Sequence, residues 1–562
     1  MLNLGVRRTL YIRRIDRILH RIVRLPRMIK NIQLPGLKTI ASLAAYLLFA
    51  GAYYQLPLFS FNQNTYFLSG LAHAGYGYLS ADRLAGQTDH ILVFSTIVSL
   101  VHTHGSHWVF YVMLCGLAMV YAASLQAIAA RTSEATSRIH ETAIFFALFT
   151  LIHCAWVLNL FANLLPGLWR VAPRFQLLAT LSTEGMAGQY ILGPYLQPSA
   201  FGVLLITSLA FFVYGREYIA ILCAVAAATV HPTYILHAGI LTAAFMTVLL
   251  SEKRTLIAAK VGILAVVVIA PILLYVAILF HSSSPVLLTE AQTILVDVRI
   301  PHHAQLSVWF SKHSCIQLAI VLLGIGLSYR RGRLFYVLVL CTTASIGLTI
   351  LQVVFDSPGL ALLFPWRLST WMVPTCATIT IGAVAASIAK AIDRCSPPRL
   401  VQSVGVCFFW LSFAFLAETC FLGAKRTISA ALAEPHDDVV SYAKANACLG
   451  QTYLVPLEYE GFRLASGLPI FVDWKSHPYR EAEVCEWYDH LQYAKAFYQA
   501  ERSDDAAAAL ASIQRIARIT HVIVETEKEH LLNTNQVQPI FRGGRHVLLR
   551  LTRDERVERR AF

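Results

Sequence analysis

Long apolar stretches separated by short polar loops form the main pattern of this 562-residue chain. A helix that crosses a bilayer needs about 20 predominantly apolar residues, and the stretches near this length predict roughly eleven spans. The predicted spans are 39–57, 107–129, 142–165, 198–214, 218–232, 234–250, 256–280, 314–328, 334–354, 367–390 and 401–424. The stretch 218–232 is short and ends in His231-Pro232, which favours a helix that enters a cavity without crossing fully. The pattern therefore predicts a mainly α, polytopic membrane helix bundle over residues 38–428.

The loops between these stretches alternate in basic charge. One set holds most of the Arg and Lys residues, for example Arg216, Arg254 and Arg331, whereas the other set holds few. Basic loops stay on the cytoplasmic side of a membrane. The alternation predicts a cytoplasmic N-terminus and a C-terminus on the outer side, which requires an odd number of spans. The long first outer loop, 58–106, contains an apolar run at 91–101 that is too short to span and is typical of an interfacial helix.

Both ends of the chain differ from the bundle. Residues 1–37 combine many arginines with apolar residues at helical spacing, which predicts a basic cytoplasmic amphipathic segment on the membrane surface. Residues 429–562 regain charge and alternate strand and helix patterns, which predicts an extracytoplasmic α/β domain. Its predicted strands are 452–456, 469–473, 521–526 and 546–551, and its predicted helical region is 482–515.

Composition excludes several classes of protein. Charged residues make up only 14% of the chain and hydrophobic residues 56%, whereas soluble domains carry about 25% charged residues. The net charge of +14 lies in the N-terminal tail and the short loops, so it indicates membrane orientation and not a nucleic-acid partner. The eleven cysteines show no metal-site spacing. Cys448 and Cys485 could form a disulfide in an oxidising compartment, and the sequence leaves that pairing open.

Motifs of soluble enzymes are absent from the sequence in any suitable context, including the phosphate-binding loop, the HExxH helix and the Gly-x-Ser-x-Gly turn. Chemistry therefore has to come from outer-loop residues. Asp82 is the first choice for a general base and Asp89 the second, because they are the carboxylates of the first outer loop. Each also fits a solvated loop residue or a helix cap.

Two further groups of outer residues fit a ligand. Amides, phenols and an imidazole beside a membrane cavity suit hydroxyl-rich ligands such as sugars, and ordinary loop hydrogen bonding is the alternative. This group is Gln63, Gln189, Tyr195, Gln197 and His231. Cations at the mouths of spans suit a phosphate, and snorkelling of the arginine to the headgroups is the alternative. This second group is Arg367, Arg299, His302 and His303.

The layout resembles the GT-C superfamily of polytopic glycosyltransferases in its basic start, long first outer loop, many spans and outer α/β domain. Local matches to uncharacterised bacterial GT-C-like membrane proteins lie at Asn62–Asp82 with Val93-Phe94-Ser95, Tyr195–Ser199, His231-Pro232-Thr233, Arg299–His303, Pro365-Trp366-Arg367 and Asp473–Tyr479. In that superfamily a catalytic Asp or Glu often follows the first span. Asn62, Gln63 and Asn64 occupy this place here, so the role passes to Asp82 or Asp89.

The resemblance implies a membrane glycosyltransferase of the bacterial inner membrane with its C-terminal domain in the periplasm. It would transfer a hexose or pentose from a polyprenyl-phosphate-linked donor to a glycan, lipid or protein acceptor, in cell-envelope polysaccharide biosynthesis. No cofactor is implied with certainty, and a divalent cation stays open. A polysaccharide polymerase or ligase, a transporter and a non-catalytic membrane scaffold remain alternatives. A transporter is disfavoured because the spans show no two-half symmetry and few charges.

Overall fold

The computed structural model describes residues 37–132, 139–158, 172–282, 284–395, 398–433, 437–532 and 537–552. The predicted amphipathic segment 1–37 lies outside the described residues, except for its last residue. All contacts described below lie within residues 48–562, which form one compact unit.

Among its described residues, the part of the chain before residue 433 contains helices joined by turns and loops, and no strand. Its α-helices are Leu37–Ala52, Gln63–Tyr66, Leu68–His73, Leu92–His104, Trp108–Thr132, Ile139–His153, Ala172–Thr183, Val203–Val213, Glu217–Val230, Ile235–Ser251, Thr255–Leu279, Pro285–Thr293, Pro301–Ala304, Leu306–Trp309, Lys312–Ser328, Arg333–Val354, Pro358–Leu362, Ser369–Cys395 and Pro398–Leu432. Short 3₁₀ turns lie at Leu79–Ala81, Met186–Gly188, Pro198–Gly202, Pro232–Tyr234 and Pro365–Leu368, and a π-helical turn at Ile294–Arg299.

Five helical segments among the described residues are long and apolar enough to cross a membrane. They are Trp108–Thr132, Pro232–Ser251, Thr255–Leu279, Arg333–Val354 and Pro358–Arg394. Several other predicted spans coincide with shorter apolar helices of 10–17 residues, such as Glu217–Val230 and Lys312–Ser328. The count of eleven spans therefore stays a prediction. The helix expected at 91–101 is present as Leu92–His104, because its apolar residues form a face that packs on the bundle through Phe94 and Val98, which are fully buried.

Three of the predicted inner loops meet at one end of the bundle. The buried carboxylate of Glu217 pairs with Arg254 at 2.5 Å and with Arg333 at 2.9 Å. Arg333 also pairs with Glu252 at 2.6 Å. Two carboxylates and two guanidiniums thus balance each other, so this network has no surplus charge to offer a ligand.

The C-terminal part combines a sheet of four strands with helices on both faces. The strands are β1 (Tyr453–Leu454), β2 (His521–Glu525), β3 (Val537–Arg542) and β4 (His546–Leu551), in the order β1-β2-β4-β3. β1 is parallel to β2, whereas β4 is antiparallel to both β2 and β3. The helices are Asp438–Ala445, Phe462–Ser466, Glu481–Tyr498 and Ser503–Ile516, with a 3₁₀ turn at Thr526–Leu531.

Alternating residues of each strand enter two different hydrophobic cores. Val522 and Val524 face the helices Glu481–Tyr498 and Ser503–Ile516, whereas Ile523 faces the helix Asp438–Ala445. The first core also contains Ala291, Ile294 and Leu295 from the segment after Thr255–Leu279. The sheet is therefore packed on an outer loop of the bundle through shared apolar residues, and its independence as a domain at 429–562 stays a prediction.

The predicted strands agree with the structure at β1, β2 and β4. The strand predicted at 469–473 is wrong, because only Ile470 forms a bridge, with Tyr453. The sequence did not predict β3, because Pro539 lies within it and proline cannot donate to a ladder. β3 tolerates this proline because it is the edge strand.

Candidate functional site

Prolines and chain reversals bring polar residues from several outer loops to one place. The helix Glu217–Val230 ends at His231 because Pro232 follows it, and the 3₁₀ turn then places Tyr234 and His237 at the start of the next helix. Pro365 opens a similar turn that carries Arg367. Tyr66 and His90 come from the first outer loop, and His477 and Tyr479 come from the C-terminal part.

The aromatic rings of these residues form a continuous chain of contacts. Together with two arginines they make up a group that we call the outer cluster (Tyr66, His90, His231, Tyr234, His237, Arg299, Arg367, His477 and Tyr479). The Tyr66 ring lies 6.2 Å from His90 and 6.1 Å from His231. Tyr234 lies 5.2 Å from both His231 and His237. His90 lies 4.1 Å from Tyr479, which lies 4.9 Å from His477.

Two arginines supply the positive charge of the outer cluster. Arg299 is 9% exposed and donates one hydrogen bond, to the backbone oxygen of Lys475 at 2.6 Å. Arg367 lies over the Phe364 ring at 4.3 Å. Burial raises the pKa of the Tyr66 phenol, and the charges of Arg367 and Arg299 oppose that increase. Neither arginine forms an ion pair with a described carboxylate.

Many polar atoms of the outer cluster are buried without a hydrogen-bond partner among the described residues. They are His90 Nε2, His231 Nδ1, His237 Nε2, Arg299 Nε, Arg367 Nε and His477 Nε2, joined by Asp89 Oδ2. Leaving a buried polar group unsatisfied costs about 1–3 kcal/mol, and more for a charged one. Such a concentration is typical of a site whose polar atoms are completed by a ligand or by water.

The imidazoles are neutral at ordinary pH. Burial lowers the pKa of His90 to about 4, although the Asp89 carboxylate opposes this. Burial, and next the charge of Arg299, also lowers the pKa of His477 well below its usual value. A neutral imidazole can donate one hydrogen bond and accept another. The outer cluster thus offers two fixed guanidinium charges surrounded by neutral donors and acceptors.

Asp82 does not have a free carboxylate. It is 2% exposed, and its Oδ2 pairs with Arg463 at 3.0 Å and accepts a hydrogen bond from Ile470 N. Its Oδ1 accepts from Leu84 N and Ala85 N. Arg463 also pairs with Asp473 at 2.9 Å. All of these partners lie within the protein, whereas a general base needs a lone pair that can reach substrate, so the structure favours Asp89, the second choice, over Asp82 for that role.

Asp89 has the feature that Asp82 lacks. Its Oδ1 accepts from Ile91 N at 2.9 Å, as expected of a carboxylate near the start of a helix, and its Oδ2 has no partner among the described residues. Its backbone oxygen accepts a hydrogen bond from Tyr275 at 2.5 Å. Asp89 directly precedes His90 of the outer cluster, and its carboxylate opposes the lowering of the His90 pKa.

The predicted sugar-binding residues mainly connect outer loops. Gln63 bonds Phe59 N and Leu196 O, and Gln197 accepts from Asn62. Tyr195 shares a 2.9 Å hydrogen bond with Tyr190. These side chains are engaged within the protein, whereas His231 belongs to the outer cluster.

The predicted phosphate-binding histidines have unequal surroundings. His303 contacts the Gln189 amide at 2.7 Å, and its backbone oxygen accepts from Trp366, the neighbour of Arg367. Burial lowers the pKa of His303, and the Arg367 charge lowers it further. His302 packs on His303 at 4.0 Å. His303 is therefore held by Gln189 and kept neutral by burial and by the Arg367 charge.

Sequence reasoning missed several residues of the site. These residues lie in, or next to, segments that the resemblance already marked, but no rule of residue spacing connects them. They are Tyr66, His90, His237, His477 and Tyr479. Glu184 is a further carboxyl group of interest, since burial raises its pKa to about 7. Among the described residues, no group of three or more His, Cys, Asp or Glu side chains is arranged to hold a metal.

Cys448 and Cys485 are both free thiols. Cys448 is exposed, whereas Cys485 packs partly against the core of the C-terminal helices. The pairing that the sequence left open is therefore not made in this structure.

Comparison with known proteins gives one local similarity. The model of a protein family described as a domain of unknown function (DUF6798) matches residues 435–494. No curated protein matches the chain. The family similarity covers the segment that supplies Arg463, Asp473, His477 and Tyr479 to the interface between the outer loops and the sheet.

Proposed function

We propose that this protein is a membrane glycosyltransferase of GT-C type that uses a polyprenyl-phosphate-linked sugar at the outer face of a bacterial inner membrane. The observation that carries the proposal is the outer cluster, in which the Nε atoms of Arg367 and Arg299 are buried without a hydrogen-bond partner and neither guanidinium pairs with a carboxylate among the described residues. Buried cations require a compensating anion. A lipid phosphate that reaches the end of the spans supplies one.

The donor phosphate is placed against Arg367, with Arg299 on the side of the C-terminal part. A guanidinium stays charged at any working pH and presents a planar pair of donors to phosphate oxygens. Neutral His231, His237 and Tyr66 complete the hydrogen bonds of the phosphate and of the sugar hydroxyls. This set stabilises the charge that collects on the phosphate as it leaves.

Asp89 is proposed as the general base. Its free Oδ2 takes the proton of an acceptor hydroxyl, whose oxygen forms a bond to the anomeric carbon of the sugar. The bond between that carbon and the phosphate oxygen breaks, and the polyprenyl phosphate leaves with the electron pair. The product is a glycoside of inverted configuration, and no oxidant or reductant is needed.

Binding and transfer by the full chain in lipid nanodiscs test the proposal. Arg367→Ala should weaken the binding of a polyprenyl phosphate by roughly 10- to 150-fold, since a hydrogen bond to a charged group contributes about 1.5–3 kcal/mol. Lys312→Gln is the matched control, because Lys312 is an exposed cation in a predicted outer loop, and it should leave the affinity unchanged.

Asp89→Asn should abolish sugar transfer and preserve donor binding within about threefold. Asp356→Asn, at an exposed carboxylate of another predicted outer loop, should transfer at the normal rate. Loss of transfer in Glu184→Gln with full activity in Asp89→Asn would reassign the base. Failure of the wild-type protein to bind any polyprenyl phosphate would remove the proposal itself.

A further inference from the structure

A large cleft lies in the C-terminal part, apart from the outer cluster. It has a volume of about 1190 Å³ and lies at the end of the sheet where β2 and β3 begin and β4 ends. The segment 446–451 and the last turn of the helix Ser503–Ile516 line it as well. Small-molecule sites usually occupy about 300–1,000 Å³, so this cleft has room for an oligomeric ligand.

The charged residues that line the cleft all have one sign. Arg518 and Arg550 are both exposed, and neither forms an ion pair with any described residue. None of the described residues that line the cleft is Asp or Glu. A one-sign cleft raises the local concentration of ligands of opposite charge. The cleft is therefore suited to an anion.

The uncharged part of the lining suits hydroxyl groups. Gln514 and Gln538 are exposed amides without a hydrogen-bond partner among the described residues. Each can both donate and accept, as a sugar hydroxyl requires. Tyr453 stacks on His521 at 4.7 Å and forms part of the cleft floor. Guanidiniums for carboxylates and amides for hydroxyls together match the chemistry of a sugar acid.

We propose that this cleft binds an acidic oligosaccharide, with Arg518 and Arg550 pairing to carboxylates of successive uronic acid units and Gln514 and Gln538 bonding the ring hydroxyls. The assignment of this glycan as the acceptor rests on the proposed function, whereas its binding does not. A glycan is favoured over an acidic peptide because free amides line the cleft beside the arginines.

The test uses the full chain in nanodiscs and measures binding of three probes of similar length: an oligogalacturonate, a neutral maltooligosaccharide and an oligoglutamate. We expect the oligogalacturonate alone to bind, with an affinity that falls as salt is raised. The double variant Arg518→Gln/Arg550→Gln should reduce that affinity at least tenfold. Arg545→Gln is the control, since Arg545 is an exposed arginine near the opposite end of the sheet that pairs with Glu525.

Each alternative outcome is decisive. Equal binding of oligoglutamate would replace the glycan by an acidic peptide, and absence of any binding, or equal binding by the double variant, would overturn the site. Arg367→Ala should bind the oligogalacturonate normally. Normal glycan binding without transfer from a polyprenyl phosphate sugar would refute only the proposed function. If the double variant transfers sugar at the normal rate and the wild-type protein binds no oligogalacturonate, only this inference is refuted.

Discussion

Asp82 and Asp89 lie in the same loop, yet their surroundings give them different chemistry. Asp82 shares Arg463 with Asp473, and all three side chains are at most 3% exposed. Burial raises the pKa of Asp473, and the charge of Arg463 opposes that increase. Two carboxylates around one guanidinium form a structural junction between the first outer loop and the C-terminal part, whereas the Asp89 oxygen remains available.

Replacing the shared cation should therefore destabilise the protein strongly. Arg463→Met leaves two buried carboxylates without a counter-charge, and breaking a buried pair costs about 3–5 kcal/mol. Because protonation removes the unpaired charges, the deficit should be smaller at pH 5 than at pH 8. Thermal unfolding at pH 5 and at pH 8 measures this loss of stability. Arg83→Met, in the half-exposed pair with Glu486, should have an effect below about 1 kcal/mol.

His90 should make unfolding sensitive to acid. Its folded-state pKa of about 4 lies below the ordinary histidine value of 6.5, so between these values the unfolded chain binds a proton that the folded chain does not. Stability contributed by the neutral ring is present above about pH 6.5 and is lost as the pH falls towards 4. His90→Gln should reduce proton uptake on unfolding by about one in this window. If the free energy of unfolding of His90→Gln depends on pH in the same way as that of the exposed control His313→Gln, the assignment of a neutral His90 is wrong.

At the scale of elements, the first outer loop and the C-terminal part are connected by direct backbone contact. Tyr78 N donates to Gly467 O at 2.7 Å, Thr65 bonds Ser476, and Thr88 bonds Glu483. Gly77 has φ +56° and lies so close that an added Cβ would be 2.3 Å from Gly467 O. This contact holds the segment with His477 and Tyr479 against Tyr66 and His90.

Substitutions at two glycines distinguish the cost of backbone strain from the cost of a steric collision. Gly75 also has positive φ, +76°, but a Cβ there would meet nothing within 4 Å. Gly75→Ala should cost about 1 kcal/mol from backbone conformation alone. Gly77→Ala adds a collision with backbone, so it should cost at least about 2 kcal/mol and also weaken polyprenyl phosphate binding. Equal thermal stability of the two variants would show that the loop can move away from the sheet.

At the scale of the whole molecule, loops of the two predicted sets meet in two separate groups of polar residues. The network of Glu217, Glu252, Arg254 and Arg333 unites loops predicted to be cytoplasmic. The outer cluster unites loops predicted to lie on the other side. In each case the structure brings together loops of one predicted set, whereas the side of the membrane that each set faces and the number of spans stay predictions.

The predicted topology follows from that grouping. With the N-terminus inside and an odd number of spans, a reporter enzyme fused after Phe562 should be active outside the cytoplasm. The same reporter inserted beside Arg331 should be active inside. Activity of both fusions on one side of the membrane would contradict the odd count of roughly eleven spans.

The sequence by itself determined the helices of the bundle, the helix Leu92–His104 and three of the four strands, because hydrophobic periodicity is a local property. It also marked Arg299, Arg367 and His231, because a polar residue at the end of an apolar stretch is costly, and it marked Asp89 as a carboxylate of the long first loop.

Only the tertiary structure decided what these residues contact. It paired Asp82 with Arg463, more than 300 positions away, and edge position allowed β3 to contain Pro539. It also joined His477 and Tyr479 to rings from the bundle loops. Such contacts depend on which distant segments meet. A pattern within one segment does not show whether a buried polar atom will find a hydrogen-bond partner in another segment.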